Sequence, residues 1–206
     1  MVFNSKDYWE QRYEEGGNSG AGSYGRLAEF KAEIINDFIS KNNIKSVIEL
    51  GCGDGNQLNL YKFPKYLGLD VSKKSISLCA DIFSKDFSKS FFIYDSNFSL
   101  NPSLFLKADL SISIDVLFHL VEDDVFEKYM KDLFEMSDKF VIIYSSDFDS
   151  DKQMAAHVRH RNITKWIESN LQKWKLIKKI PNRYPLKEDP INESFADFFI
   201  YEKNNE

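Results

Sequence analysis

The sequence predicts a single doubly wound α/β domain with a seven-stranded sheet, six strands parallel and one reversed, and helices on both faces. Three observations carry this. Short apolar runs alternate with segments of helical periodicity from residue 46 to residue 171, the pattern of a parallel sheet whose crossovers are helices. Two strand-like runs then end the chain with no helical pattern between them, which requires an antiparallel pair at one edge. The first apolar run is closed by a turn with glycine at every second position, Gly51-Cys52-Gly53-Asp54-Gly55.

The elements follow in order. Residues 5–15 (SKDYWEQRYEE) read as a short aromatic helix, and 16–25 (GGNSGAGSYG) as a loop able to close over a ligand. Leu27, Phe30, Ile34, Ile35, Phe38 and Ile39 recur at helical spacing before the breaker Asn42-Asn43. Strands are predicted at 46–50 and 66–70, joined by a short segment at 56–63. A helix over 73–85, a strand at 90–95 and a strand at 110–114 come next. The helix predicted over 122–137 begins with Glu122, Asp123 and Asp124, acids suited to a helix N-terminus. A strand at 140–144, a helix over 163–171 and strands at 174–180 and 194–202 complete the chain. There is no internal repeat and no interdomain linker, so 1–206 is read as one domain.

Composition narrows the class. A chain of 206 residues is long enough to bury roughly two-thirds of its unfolded surface. Its 43% hydrophobic, 29% charged and 15% aromatic content is that of a packed soluble protein. The net charge of -5 and pI near 5.4 disfavour nucleic acid and anionic membrane as partners, because both would be repelled at long range. Cys52 and Cys79 make no disulfide framework. With no basic leader before an apolar run and no stretch long enough to cross a bilayer, the expected location is cytoplasmic.

The chemistry is concentrated where the glycine turn meets its strand. Glycine, lacking Cβ, lets the turn tighten and brings backbone N–H groups close to a ligand. Asp70 stands at the end of the next strand, where an acid can take both hydroxyls of a ribose. The spacing is G-x-G-x-G, whereas a dinucleotide site uses G-x-G-x-x-G. Glu49, just before the turn, would repel a pyrophosphate but suits an ammonium group. That contrast favours S-adenosylmethionine, whose amino-acid end is zwitterionic, over a nicotinamide cofactor.

At this point the chain resembles class I methyltransferases over roughly 45–145, through Glu49-Leu50-Gly51-Cys52-Gly53-Asp54-Gly55, Leu67-Gly68-Leu69-Asp70-Val71-Ser72, Tyr94-Asp95-Ser96 and Ile114-Asp115-Val116. The resemblance implies a Rossmann-like fold, S-adenosylmethionine as cofactor and S-adenosylhomocysteine as product. It implies that Gly51, Cys52, Gly53 and Gly55 wrap the methionine part, with Glu49, Asn56 and Gln57 alongside. Asp70, with Val71 beside it, would hold the ribose. Asp95 would take the adenine amino group with Ser96 next to it, and Asp115 and Val116 would flank the methyl group. The segment Asp7-Tyr8-Trp9-Glu10-Gln11-Arg12-Tyr13 resembles the opening helix of several small-molecule methyltransferases, so that residues 1–25 would form a lid. Trp9 and Arg12 would then meet the methionine end, and Tyr24 would follow the lid inward.

The acceptor has to be read from the loops at the strand ends. His119, a few residues beyond the fourth strand, is read as a base or acceptor-orienting group, against the alternative of a partly buried histidine capping the next helix. His157, Arg159, His160 and Arg161 follow the fifth strand, with His157 as a second base. The two arginines there can hold a phosphate or carboxylate, against the alternative of a solvated basic surface. No catalytic metal is expected, because no Asp-Asn pair follows the fifth strand. The reading is O-methylation of a small, polar, anionic acceptor, and the chain looks like small bacterial methyltransferases that modify surface polysaccharides or their phosphorylated precursors. Two alternatives stand beside it. One is N-methylation of a small amine or amino acid, which needs less basic assistance and an acidic or aromatic acceptor pocket. The other is a noncatalytic S-adenosylmethionine-binding subunit that activates a partner. Oligomeric state is left open.

Overall fold

The computed structural model describes residues 3–95, 102–150 and 155–204. Helix α1 (Ser5–Glu14) is capped by the Asn4 side chain, which accepts the Asp7 N–H at 2.9 Å. Helix α2 (Gly25–Lys41) precedes the first strand, β1 (Val47–Leu50). Then come β2 (Tyr66–Asp70), α3 (Lys73–Ile82), β3 (Lys89–Ile93), β4 (Ala108–Ile114) and α4 (Asp123–Glu135). The chain continues through β5 (Ser137–Ser145), α5 (Ile163–Asn170), β6 (Trp174–Ile180) and β7 (Asp197–Lys203).

All seven strands form one sheet in the order β3-β2-β1-β4-β5-β7-β6. Strand β7 runs antiparallel to both of its neighbours, and the other pairs are parallel. The fold is therefore the doubly wound sheet with one reversed strand that the sequence pattern predicts. Strand β1 pairs with β2 on one side and β4 on the other, so the winding reverses between β1 and β4. Ligands bind at such a switch point, outside the carboxyl ends of the strands.

Alternation along the central strands builds two cores. Val141 and Ile143 of β5 face α4 and α5, together with Ile48, Phe126, Leu133, Ile167 and Phe199. Ile142 and Tyr144 point the other way, toward α2, together with Phe30, Ile35, Leu110, Ile112 and Phe198. The connection from β1 to β2 holds only a 3-10 turn, Gln57–Leu60, and α2 supplies the cover that a crossover helix would give. Strand β5 starts at Ser137, inside the predicted helix, because Met136 is fully buried and Ser137 already pairs with Ala108. Among the described residues no helix is long and apolar enough to cross a membrane.

Ile142 is fully buried in the central strand, whereas Ile177 on edge strand β6 is exposed. Ile142→Ala is expected to cost about 2–5 kcal/mol in denaturant unfolding, and Ile177→Ala about 0.5 kcal/mol or less.

Candidate methyl-donor site

The turn after β1 is held by backbone. The Gly51 and Cys52 amides both donate to the Leu69 carbonyl, at 2.7 and 3.1 Å, which draws the turn over the end of β2. Gly53 N–H donates to Asp70 Oδ2 at 2.9 Å, and Ser72 N–H donates to Asp70 Oδ1 at 2.9 Å. Gly51 and Gly53 have φ of 81° and 58°, in the left-handed region that favours glycine. A Cβ on Gly51 would lie 2.4 Å from Val116 Cγ2, and one on Gly53 would lie 2.3 Å from Ser19 Oγ.

A cavity opens at the carboxyl ends of β1, β2 and β4. Glu49, Gly51, Cys52, Gly53, Gln57 and Asp70 line one part of it, and Val71, Tyr94, Val125 and Tyr129 another. Glu49 is buried and accepts the Tyr66 hydroxyl at 2.6 Å. Burial pushes its carboxyl up to about 7, against the lowering effects of the Tyr66 bond and the Lys31 charge. Gln57 Nε2 is buried, makes no well-aligned hydrogen bond, and belongs to a side chain on the cavity wall. Asp115 lines the cavity in a left-handed conformation (φ 60°) and forms an ion pair with Lys31.

The N-terminal segment adds Asn4, Ser5, Lys6, Trp9, Tyr13, Ser19 and Ser23 to the cavity wall. Ser5 N–H donates to Glu122 Oε1 at 2.8 Å, and its hydroxyl meets both Glu122 and the His119 carbonyl. Tyr13 and Ser19 share a 2.9 Å hydroxyl contact. Ser19 N–H donates to Asp54 Oδ2 at 2.8 Å, while Asp54 N–H donates to Ser19 Oγ at 2.9 Å. Trp9 stands edge-on to His119 with ring centres 5.0 Å apart. His119 Nδ1 lies 2.9 Å from the His157 carbonyl. A carbonyl only accepts, so Nδ1 carries the proton and Nε2 keeps its lone pair. Burial lowers the His119 pKa to about 4, outweighing the hydrogen bond to the His157 carbonyl, so the ring is neutral at physiological pH.

Residues 41–189 match the family described as a methyltransferase domain. The chain belongs to that methyltransferase-domain family. No curated protein sequence matches it. Among solved structures, the magnesium protoporphyrin IX methyltransferase ChlM from Synechocystis PCC 6803 with bound S-adenosylmethionine superposes with a TM-score of 0.68 at 12% identity, covering 99% of both chains. The N-methyltransferase NodS from Bradyrhizobium japonicum WM9 with S-adenosylhomocysteine gives 0.67 at 14% identity, covering 99% of this chain and 100% of that one. The methyltransferase domain of a bacterial CtHen1 gives 0.66 at 18% identity, covering 87% and 100%. At such identities the likeness is one of fold.

The cofactor of this methyltransferase domain is S-adenosylmethionine, and the cavity fits it. Glu49 offers a carboxylate for an ammonium group, and Gln57 Nε2, with no well-aligned hydrogen bond of its own, offers a donor for the adjacent carboxylate. Of the residues the sequence singles out, the cavity collects Trp9, Glu49, Gly51, Cys52, Gly53, Gln57, Asp70, Val71, Asp115, Val116 and His119. Others brace it from behind. Asn56 Nδ2 donates to the Ser23 carbonyl at 2.8 Å, and Tyr24 donates to Asp54 at 2.9 Å, so both pin the N-terminal segment to the turn. Arg12 Nε donates to the Asn18 carbonyl at 2.7 Å and its guanidinium lies against Trp9, so its contacts are within the N-terminal segment, and it is not among the residues lining the cavity. Gly55 faces Cys79 and Phe83 beneath the turn. Asp95 pairs with Lys6 at 2.9 Å, and it is Lys6 that borders the cavity. Ser96 lies outside the described residues.

The acceptor residues require a larger correction. Arg159 donates to the Val121 carbonyl at 2.9 Å and pairs with Asp123 at 3.0 Å. Arg161 donates to the Leu120 and Val121 carbonyls at 2.6 and 2.9 Å, pairs with the same Asp123, and lies over Phe126. Both guanidinium groups therefore clamp their loop to the start of α4, because the carbonyls there have no helical donor. His160 is buried against Phe148 and Phe195 and shares a 2.8 Å contact with Ser146. The His157 ring stacks between Tyr8 and His119, and its carbonyl fixes the His119 tautomer. None of these four lines the cavity.

Sequence reading missed Lys31, Tyr94, Tyr129, Ser5 and Glu122. Lys31 left a signal: it lies four residues from Leu27 and four from Ile35, on the stripe of α2 that is otherwise apolar.

Glu49 must be charged to hold an ammonium group, and below about pH 7 it binds a proton. Affinity for S-adenosylhomocysteine, measured by calorimetry, should therefore fall as pH drops through 7, toward about tenfold per unit, and Glu49→Gln should remove the dependence. The folded state takes up this proton at higher pH than the unfolded chain, so the penalty for burying Glu49 is greatest above pH 7 and is relieved on acidification. Arg161→Ala should lower stability by about 1–3 kcal/mol in thermal unfolding by orphaning the Leu120 carbonyl, with turnover per folded molecule retained.

Proposed function

We propose that the protein transfers the methyl group of S-adenosylmethionine to the nitrogen of a small amine. The observation that carries this is the charge of the cavity wall. Glu49, Asp70, Asp115, Glu122 and Asp124 line it, with Lys6 as the one lysine or arginine of the lining among the described residues. The arginines that would have held an anionic acceptor are engaged with Leu120, Val121 and Asp123. A wall of this sign attracts a cation and repels a phosphate or carboxylate.

When bound, S-adenosylmethionine supplies an electrophilic methyl group that an acceptor lone pair displaces in line, leaving S-adenosylhomocysteine. The chain's own part is to dock and orient the acceptor. Neutral His119, through Nε2, accepts an N–H of the amine and aims its lone pair. The reaction leaves positive charge on nitrogen, and Asp115, Glu122 and Asp124 stabilise that charge where it develops. A hydroxyl acceptor would need a base matched to the working pH, and burial holds His119 near 4, too weak for that task. Trp9 and the lid segment exclude water. The fold serves different acceptors, since NodS is named an N-methyltransferase and ChlM a magnesium protoporphyrin IX methyltransferase, so the choice rests on this chain's wall.

Incubation with methyl-labelled S-adenosylmethionine and matched panels of amines, alcohols, carboxylates and phosphate esters, read by mass shift, tests the proposal. Label is expected only in amines, with a rate that rises with pH until the acceptor is fully deprotonated. His119→Asn should lower kcat about tenfold or more with little change in cofactor Kd. Label on oxygen in a carboxylate or phosphate ester, with none in amines, would overturn it.

A further inference from the structure

Lys31 is the most enclosed charge in the described structure. Its side chain has 0% exposure, it extends from α2 beneath the cavity, and its ammonium forms an ion pair with Asp115 Oδ2. The Tyr144 ring lies 5.2 Å away on the other side. Asp115 itself holds a left-handed backbone, with its N–H donating to the Tyr144 carbonyl at 3.0 Å, a conformation that costs a residue with a Cβ. The lid rests on this pair: a Cβ on Gly22 would come within 2.8 Å of Asp115 Oδ2. Burying an ammonium group is expensive unless a carboxylate meets it, and Asp115 does; the charge of Lys31 also favours the ionised form of Glu49.

We propose that Lys31 is a positioning residue for methyl transfer, the counter-charge shared by Asp115 and Glu49, which holds Asp115 at the cavity wall and keeps Glu49 ready to receive the ammonium end of the cofactor. This rests on the reading of Glu49 as the partner of that ammonium. The groups around Glu49 come from several elements. Lys31 approaches from α2, Asp70 and Tyr66 from β2, Cys52 from the glycine turn, Tyr61 from beyond the 3-10 turn and Tyr129 from α4. The three tyrosines and Cys52 are all pushed upward by their surroundings and stay neutral near pH 7. The charges acting on Glu49 there are Lys31, which favours its ionised form, and Asp70, which opposes it.

The test is the pH at which affinity for S-adenosylhomocysteine begins to fall, measured by calorimetry between about pH 5.5 and 8. In Lys31→Met this midpoint should move up by about one unit or more, a loss of about fivefold or more in affinity at the wild-type midpoint. In Asp115→Asn, where Lys31 serves Glu49 alone, it should move down. A merely structural lysine would weaken binding equally at every pH and leave the midpoint in place, and that result in both variants would overturn the proposal. Should Lys31→Met fail to fold, Lys31→Met combined with Asp115→Asn leaves no unpaired carboxylate at 115 and should still show the upward shift. A wild-type protein whose affinity is flat across this range would instead defeat the Glu49 reading on which the proposal stands.

Discussion

At the carboxyl ends of β1, β2 and β4 three segments approach within contact distance, and neither glycine between them can carry a side chain. Val116, just beyond β4, crowds the place where a Cβ of Gly51 would be, and Ser19 of the N-terminal segment does the same for Gly53. The Leu69 carbonyl and the Asp70 carboxylate anchor the turn from the β2 side. From that convergence follow the cavity, the position of Glu49 on its wall and the anchoring of the N-terminal segment through Ser19 and Asp54. The sheet topology supplies the convergence, because the winding reverses between β1 and β4 and leaves their ends uncovered by a crossover.

Onto this scaffold the chain places an unusual charge distribution. Carboxylates dominate the cavity wall, a buried lysine pairs with one of them, Asp115, and the nearest histidine is held neutral by burial. In surroundings of low polarity each of these charges acts more strongly than it would in water. Such a wall suits a donor that carries an ammonium group and a sulfonium, and an acceptor that becomes cationic as it reacts. The basic loop contributes indirectly: Arg159 and Arg161 lock it against the start of α4, and His157 presents the carbonyl that sets the His119 tautomer.

Much of this was legible in the sequence, for physical reasons. The strands repeat with period two or as short buried runs, the helices with a period near 3.6, and the glycine spacing together with Glu49 separated an amino-acid ligand from a pyrophosphate. Asp70 and Asp115 were readable because strand ends in this topology point toward one place. The arginine loop was misread because a guanidinium looks the same in sequence whether it meets a ligand or the carbonyls of Leu120 and Val121. Those partners lie about forty residues away and become neighbours only when β4 and β5 pair. Lys31 was hidden by the expectation that lysine on a helix faces water, although its place on the stripe of Leu27 and Ile35 marked it. The β1–β2 connection gave no helical period, and none formed, because α2 had already covered that face.

The central claim is that Glu49, at the mouth of the glycine turn, recognises the ammonium group of the methyl donor. It is tested most directly by comparing the affinity of the protein for S-adenosylhomocysteine with that for the analogue lacking only the α-amino group. Loss of one partner from a buried charge pair costs about 2–5 kcal/mol, so the wild-type protein should bind the analogue about thirtyfold or more weakly, and Glu49→Gln should barely distinguish the two. Equal binding of both ligands by the wild-type protein would contradict the account.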